Sequence, residues 1–576
     1  MKSSKEILKN LKKLKNNNFQ RLDLSILSDS STQYLIKFIK AFALENKLNI
    51  EIWDAPIDQI EQQIFNRDSQ LNKNNHDLTI VFESTHSLLK KYNQSNEKNN
   101  FSEIQFKRIT DYLKKLITIN KDVILFNFYE INDFIFGNYS SLIGDSFIFQ
   151  LRKLNFLLSD FLKNLDQVRI LDVSSIQNSI GSTNLFDSSL YVNYEMVFNI
   201  EGNYEISKKI IDIMLSKKAF LNKCIIIDLD NTTWGGIIGD DGIDKIEIGN
   251  LGIGKAFKEF QQWVKKLKER GIILCVCSKN TEEVAKEVFL KHPEMILKLD
   301  DISVFMANWD SKVNNIKKIQ KILNIGFDSM VFIDDNSFER NVVRDNIPGI
   351  TVPDLPDDPS NYLNFLYNQN LFEVNSYSKS TNDRTDFYKK ENERIKFKEL
   401  STDLSDYMTK IGMKSCLTNL NSFNIPRVSE LSNRSNQFNL RTIRYSQSDL
   451  TKIMNSNKYF GFVFDLEDKF GSHGIVSYVI VKSLSDNEVF IENWAMSCRV
   501  LERSFEQYII NKILNFFEEK NYNVLLAEYV ETKKNLLVKD MYKTLGFSKL
   551  KSNNYSISLK NFKKLKTYIK DKKQIK

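Results

Sequence analysis

The chain is poor in cysteine and histidine and lacks any long apolar run, and each lack excludes something. Its five cysteines are odd in number and widely scattered, which excludes a disulfide framework and reads as the reduced pattern of a cytoplasmic protein. Cys275 and Cys277 lie two positions apart on a predicted strand, so they share one face with no metal-binding loop between them. Four histidines are too few for a histidine-rich zinc site. No stretch approaches ~18 uninterrupted apolar residues, so no membrane span is expected. The opening Met1-Lys2-Ser3-Ser4-Lys5-Glu6 leads into a basic helical stretch and does not read as a signal peptide.

What is present fills several cores. An apolar fraction of 42% excludes a disordered chain. A length of 576 residues exceeds one ordinary core and implies about two to four domains. The net charge of +8 is local, because residues 560–576 hold eight lysines against one aspartate. No nucleic-acid partner is therefore expected. The tail reads as a solvated terminus, or as a docking arm for an acidic partner.

Residues 1–210 mix apolar runs with helical periodicity (34–45, 48–54, 76–82, 123–129, 153–165 and 167–172), which predicts an α/β layer domain. Residues 221–375 form a sharper α/β unit, with strands predicted at 223–227, 272–277, 304–306 and 330–333 and a helix at 254–269. Thr281-Glu282-Glu283 opens a helix with Asn280 as its predicted N-cap. Residues 376–435 are polar and read as a connector. Residues 436–557 return to strands, with a long amphipathic helix from 504, and 558–576 form the basic tail.

Chemistry concentrates in the second unit. Asp228-Leu229-Asp230-Asn231-Thr232 follows the apolar run Cys224-Ile225-Ile226-Ile227. One carboxylate at a strand end can attack phosphorus while its neighbour two residues on protonates the departing oxygen. Ser278 after the second strand and Lys312 in a turn beyond the third supply donors for the phosphoryl oxygens. Asp334 and Asp335 end the fourth strand and offer the hard oxygens that magnesium prefers. Each cluster alone is an ordinary strand end; their conjunction within one compact unit points to phosphoryl transfer.

Those four motifs resemble the haloacid-dehalogenase superfamily of phosphohydrolases. The string from Asp228 through Trp234-Gly235-Gly236 to Gly242, with Cys277-Ser278-Lys279-Asn280, Asn308-Trp309 and Phe332-Ile333-Asp334-Asp335-Asn336, is similar to the FkbH-like branch, subclass IIIC. Thr233 stands where that branch usually has leucine. The likeness is dense over 221–375 and continues into Ser435-Asn436-Gln437-Phe438-Asn439-Leu440. It implies Asp228 as nucleophile, Asp230 as acid/base, and Mg2+ held by Asp228, Asp334, Asp335 and the Asp230 carbonyl, with Thr232 supporting the loop.

Spacing adds an independent point. Only 41 residues separate Asp230 from Ile272, and 33 separate Ser278 from Lys312, so neither gap houses a large cap domain. Such a site is open to water and to large substrates unless another domain covers it.

The last domain resembles the acetyltransferase-like (GNAT-like) domain that closes FkbH-like proteins. Cys498, Arg499, Thr532, Asn535, Tyr542 and Gly546 match its pattern, which makes Arg499, Thr532 and Asn535 candidate cofactor-binding residues. Glu502 and Ser504 stand where two loop glycines are usual, so coenzyme A binding in the usual manner is not expected. The strand–turn–helix at 494–506 would aim backbone N–H groups at a pyrophosphate or thioester oxygen. Cys498, beside Arg499 and Arg503 before a helix start, reads equally as a buried filler or as a thioester-forming thiol. His473 reads equally as its base or as a loop residue.

In the first domain, residues 22–27 run into Ser28-Asp29-Ser30-Ser31-Thr32. The family's N-terminal region resembles an SGNH-hydrolase fold, and this turn falls at its nucleophile position. Gly-Asp-Ser is absent, and Asp187-Ser188-Ser189-Leu190 lacks the expected histidine, so a catalytically degenerate packing or docking domain is expected.

The fold class expected is therefore α/β: a three-domain chain built around a capless Rossmann-like haloacid-dehalogenase fold, flanked by an SGNH-like α/β domain and a GNAT-like α+β domain. The resemblance implies a magnesium-dependent phosphatase/acyltransferase. It would dephosphorylate 1,3-bisphosphoglycerate or a similar phosphorylated acyl donor, and load the glyceryl group onto the phosphopantetheine thiol of an acyl carrier protein. Two other readings are a phosphatase/acyltransferase acting on a sugar precursor in surface-polysaccharide assembly, and a non-enzymatic scaffold.

Overall fold

The computed structural model describes every residue except 1–3, 12–18, 120–121, 132, 134, 164, 218–221, 375–393, 395–396, 398–402, 436, 498–499, 502, 533, 551–552, 561 and 573–576. It divides into two compact units, 1–215 and 216–576. Among the described residues, no helix is long and apolar enough to cross a membrane.

The first unit is built on five parallel strands: β1 (Gln20–Ser28), β2 (Leu48–Asp54), β3 (Leu78–Phe82), β4 (Val123–Phe126) and β5 (Val168–Leu171). Their order is β2-β1-β3-β4-β5. β3 and β4 are buried along their whole length, because helices cover both faces of a parallel sheet and leave no polar alternation. The run at 34–45 forms helix Gln33–Glu45, and the run at 153–165 lies in helix Phe147–Leu162 as far as Leu162.

The second unit begins with a four-stranded parallel sheet of β6 (Cys224–Ile227), β7 (Ile273–Ser278), β8 (Val304–Ala307) and β9 (Met330–Ile333), in the order β8-β7-β6-β9. All four residues of β6 are buried. Ile225 and Ile227 pack into the core under helices Gly252–Glu269 and Glu282–Lys291, and Cys224 and Ile226 into the core under Lys312–Leu323 and Ser337–Asn346. This alternation explains the unbroken apolar run: a central strand has two buried faces. It also puts Asp228 at the middle of the carboxyl edge, where open α/β sheets bind ligands. The segment between Asp230 and β7 forms only two helices, Ile238–Asp241 and Gly252–Glu269, so no cap domain is inserted there.

The rest of this unit is a mixed sheet of nine described strands: β10 (Lys414–Ser415), β11 (Leu417–Asn419), β12 (Tyr459–Asp468), β13 (Gly471–Ser483), β14 (Glu488–Met496), β15 (Val524–Glu528), β16 (Ser548–Lys549), β17 (Asn554–Ser558) and β18 (Lys570–Asp571). β10 and β11 pair with β12, so the end of the expected connector belongs to this sheet. The basic tail is not a solvated terminus throughout. β18 pairs with β10, and Ile569 is buried in the same core.

β14 and β15 run parallel for three residue pairs, Glu488↔Val524 to Phe490↔Leu526. Past that point residues 438–440 lie against both. Leu440 N–H donates to Trp494 O at 3.1 Å, Met496 N–H to Phe438 O at 3.0 Å, and Val530 N–H to Leu440 O at 2.9 Å. Phe438 and Leu440 are fully buried, so this opening in the sheet is filled by the chain itself.

Candidate active site

Asp228 directly follows β6, and its N–H donates to Ile333 O at 2.9 Å, which keeps β6 and β9 in register up to Asp334. Asp228 Oδ2 accepts from Lys312 Nζ at 2.7 Å, and the same ammonium donates to Asp334 Oδ2 at 2.5 Å. The other oxygen, Asp228 Oδ1, is buried and has no hydrogen-bond partner. Lys312 opens the helix Lys312–Leu323, whose start is fixed by Ser311 Oγ accepting from Asn314 N–H. That cap delivers a lysine to Asp228 from the loop after β8, two strands away from β6.

Carboxylate oxygens of Asp228, Asp334 and Asp335 lie within 4.8 Å of one another. Burial and the charge of Asp228 push the Asp334 carboxyl up to about 7, against the pull of Lys312. The same two causes raise Asp335. Burial opposes the charge on Lys312, but Asp228 and Asp334 overcome it and hold the ammonium above the usual lysine range. Three carboxylates around one ammonium leave a surplus of negative charge on hard oxygens, with one buried oxygen unpartnered. That donor set fits Mg2+, which is the cofactor of this site. The ion supplies charge compensation at the phosphoryl oxygens.

Asp230 lies in the turn that leaves β6, where the N–H groups of Thr232, Thr233 and Trp234 converge on Leu229 O. Asn231 takes φ +53° there, a left-handed conformation that asparagine tolerates. Asp230 Oδ1 accepts from Trp234 Nε1 at 2.8 Å and Ile238 N–H at 3.1 Å, and Oδ2 accepts from Asn280 Nδ2 at 3.0 Å. Burial raises the Asp230 carboxyl while these donors restrain it, as suits a group that must hold and release a proton.

Asn280 is not the N-cap expected of it. Helix Glu282–Lys291 is preceded by Thr281, with no side-chain cap, and Asn280 instead reaches from Asp230 to Ser278 Oγ at 3.1 Å. Ser278 itself is buried at the end of β7. Thr232 Oγ1 accepts from Asp335 N–H at 3.0 Å and donates to Asp335 Oδ1 at 3.1 Å, tying the loop after Asp228 to the acidic pair. Thr233, in the position usual for leucine, is fully buried and donates to Asp228 O at 2.6 Å. Arg340 donates to Asp334 O at 2.9 Å and Asp335 O at 2.5 Å, fixing the acidic loop from below. Asn280 stood in a motif without a catalytic-site role, whereas nothing in the local sequence marked Trp234's bond or Arg340.

Of the other predicted residues, His473 lies in β13 and Thr532 and Asn535 lie in the loop after β15. Cys498 and Arg499 fall outside the described residues. Asn535 is fully buried and wholly engaged: Oδ1 accepts from Thr532 N–H at 2.7 Å and Tyr529 OH at 3.0 Å, and Nδ2 donates to Asn439 O at 3.0 Å and Val530 O at 2.9 Å. Thr532 and Asn535 thus clamp their own loop. The helix end expected to face a pyrophosphate, that of Phe505–Glu519, is covered by the chain's own C-terminal segment. Tyr568 N–H donates to Ser504 Oγ at 3.1 Å and Thr567 Oγ1 to Ser504 O at 2.9 Å. Ser504 keeps φ +55°, the left-handed shape suited to the usual glycine.

His473 is shut away from solvent, with Nε2 on Asp468 Oδ2 at 2.8 Å. Arg394 grips the same carboxylate through Nε at 2.7 Å and Nη2 at 2.9 Å, and Arg503 approaches to 3.6 Å. Burial lowers the His473 pKa, and the bonds from His473 and Arg394 hold the Asp468 carboxyl well below the usual range despite burial. This is a brace across the β12–β13 turn rather than an exposed base. In the first unit, Ser30 Oγ donates to Asp29 Oδ1 at 2.8 Å, Thr32 Oγ1 to Asp54 Oδ2 at 2.6 Å and Ser28 Oγ to Ser30 O at 3.0 Å.

A capless parallel sheet that gathers Asp228, Asp230, Ser278, Lys312 and the Asp334-Asp335 pair at one carboxyl edge defines a haloacid-dehalogenase-type phosphatase domain. A family model, FkbH, N-terminal domain, matches residues 23–215. The chain is 45% identical to the N-terminal part of the protein BF1531 from Bacteroides fragilis, solved with its phosphatase domain complexed with Mg; the match covers 66% of this chain and 100% of that one, at TM-score 0.63. It therefore belongs to the family of that protein, and in this chain an FkbH N-terminal domain is joined to a haloacid-dehalogenase-type phosphatase domain. The ribosomal-protein-S18-alanine N-acetyltransferase from Escherichia coli is 12% identical over 26% of this chain and 99% of its own, at TM-score 0.21. Spermidine N-acetyltransferase from Vibrio cholerae is 15% identical over 25% of this chain and 96% of its own, also at 0.21. No curated protein matches the chain.

Proposed function

We propose that this protein hydrolyses a phosphorylated three-carbon acyl donor at Asp228 and passes the acyl group to the phosphopantetheine thiol of an acyl carrier protein. The observation that carries the phosphatase part is the buried, unpartnered Oδ1 of Asp228 beside Lys312 and the acidic pair. Oδ1 attacks the phosphorus of the ester phosphate at C3, a P–O bond to Asp228 forms, and the bond to the C3 oxygen breaks, which leaves the acyl phosphate at C1 intact. Asp230 gives its proton to that oxygen and then takes one from the water that attacks phosphorus. Inorganic phosphate leaves and Asp228 is restored. Lys312 orients Asp228 through Oδ2 and offsets charge on the phosphoryl oxygens. Asn280 and Trp234 keep the Asp230 carboxyl aimed during both proton transfers.

The acyl part rests on the resemblance of residues 436–557 to acetyltransferase-like domains: the Cys498 thiolate would attack the C1 carbonyl, the C1–O bond to the second phosphate would break, and the phosphopantetheine thiol would then displace Cys498 from the thioester. A coenzyme A route is disfavoured, because residues 438–440 fill the opening between β14 and β15. The test is mass spectrometry of candidate carrier proteins incubated with this protein, magnesium and 1,3-bisphosphoglycerate. A glyceryl adduct on the carrier that vanishes with Asp228→Asn and with Cys498→Ala supports the relay. An adduct that survives Cys498→Ala removes the cysteine from it.

A further inference from the structure

Lys279 stands between Ser278 and Asn280, both of which face the reaction centre, yet it takes no part in that network. Its ammonium donates to Glu339 Oε1 at 2.6 Å. The two residues come from opposite sides of the nucleophile. Lys279 directly follows β7, Glu339 lies in the first turn of helix Ser337–Asn346 after β9, and β6 runs between those strands. Strands two apart in a sheet are separated by about 10 Å. An ion pair joining their loops therefore spans the carboxyl end of β6, where Asp228 emerges.

The pair is asymmetric. The Glu339 side chain is 11% exposed and that of Lys279 is 42% exposed, so the carboxylate is the fixed end and the ammonium is the solvent-accessible one. An ammonium has three N–H donors, and Glu339 occupies one of them. The inner charges are committed elsewhere: Lys312 is shared by Asp228 and Asp334, and Arg340 is turned toward backbone carbonyls of the acidic loop. A substrate with only a phosphoryl group would meet no use for a further cation at the rim.

We propose that Lys279 is a specificity-determining residue that binds a second anionic group on the substrate, a carboxylate or a second phosphate, with Glu339 as its positioning residue. This rests on Asp228 being the phosphatase nucleophile. The substrate class is a small phosphate ester or acyl phosphate carrying another negative charge within one side-chain length of the phosphorus.

The experiment compares 3-phosphoglycerate with glycerol 3-phosphate, a three-carbon pair that differs in a carboxylate against a hydroxymethyl group, using full-length protein with magnesium. The wild type should prefer 3-phosphoglycerate in kcat/KM by ~10-fold or more, the size of a charge-assisted contact. Lys279→Met should collapse that ratio toward one, chiefly through KM. Lys279→Arg should restore part of it, and Glu339→Gln should raise KM for 3-phosphoglycerate more than for glycerol 3-phosphate. Equal losses on both esters with Lys279→Met, or an unchanged ratio, would overturn the assignment. Phosphate release that persists in Asp228→Asn, or is absent from both esters in the wild type, would instead overturn the underlying phosphatase reading.

Discussion

Two buried charge clusters in the second unit both set carboxylates against cationic side chains and end up with opposite character. At the phosphatase sheet, Asp228 and Asp334 share the ammonium of Lys312 while Asp335 lies beside them, one oxygen is unpartnered, and Asp334 and Asp335 are pushed up. At the β12–β13 turn, one carboxylate, Asp468, receives Arg394 twice, His473 and the Phe470 N–H, and is held down. The first arrangement stores repulsion that a divalent cation relieves; the second has no charge left to give. Burial alone therefore does not mark a catalytic centre. The balance of donors to acceptors does.

The largest contrast is expected from single substitutions at the two carboxylates. Asp228→Asn should lower phosphate release by about 10³-fold or more, since the nucleophile is lost. It should not lower the thermal midpoint of the metal-free protein, because it removes one of the repelling charges. Asp468→Asn should do the reverse. It leaves Arg394 and His473 around a neutral group, at a cost of about 3–5 kcal/mol in stability. Turnover of a small phosphate ester by the folded protein should persist. Phosphate assays with thermal melts decide it, and a stable Asp468→Asn would dissolve the contrast.

Lys312→Ala should come next. The phosphoryl oxygens lose their fixed cation, and release should fall by about 10²-fold. The metal-free protein should also be destabilised, because Asp228 and Asp334 lose their shared counter-charge. Magnesium should recover more of the melting temperature in this variant than in the wild type. A titration of Tm against magnesium reads this directly, and equal gains in both proteins would show that Lys312 and the ion do not share the same charges.

Acid should separate the clusters by sign. Asp468 has a depressed pKa in the fold, so its contribution to stability is present above the unfolded carboxylate value and lost as pH falls below it. The lowered His473 pKa acts in the same direction: its contribution is present above the ordinary histidine value and lost as pH falls from there toward the folded value. Asp334, raised to about 7, behaves oppositely. In protein stripped with chelator its contribution is full below the unfolded value and disappears as pH rises through about 7. Melts with and without magnesium between mildly acidic and neutral pH should therefore diverge as pH rises, while Asp468→Asn should flatten the acid limb only.

Much of the phosphatase half was legible because its signals are local. The buried run Cys224-Ile225-Ile226-Ile227 and the carboxylates just past it fix strand, edge and acidic cluster together, and the short spacings exclude a cap. The mixed sheet was harder to read for a physical reason. Thr532 and Asn535 sit in a motif whose usual use is a ligand, but their partners, Tyr529, Val530 and Asn439, are set by tertiary contact. The basic tail shows the same limit. Lys570 and Asp571 pair with β10 at the far edge of the sheet, and Ile569 is buried there, because of contacts that no local periodicity encodes.

The smallest expected effect tests how finely the active cluster is tuned. Trp234 is fully buried, and its Nε1–H is one of three donors that restrain the Asp230 carboxyl against burial. Trp234→Phe keeps most of the ring volume and removes that donor alone. The Asp230 pKa should rise, so its protonated form persists to higher pH. The limb of the kcat profile that reports loss of the acid should therefore move toward alkaline pH. The complementary step, in which Asp230 takes a proton from water, should slow at neutral pH, with kcat down by about threefold to tenfold. KM should change little, since the indole bonds to no atom that meets the phosphate. A fall in kcat with an unmoved pH profile would mean that Trp234 supports the loop mechanically and leaves the acidity of Asp230 to burial and Asn280.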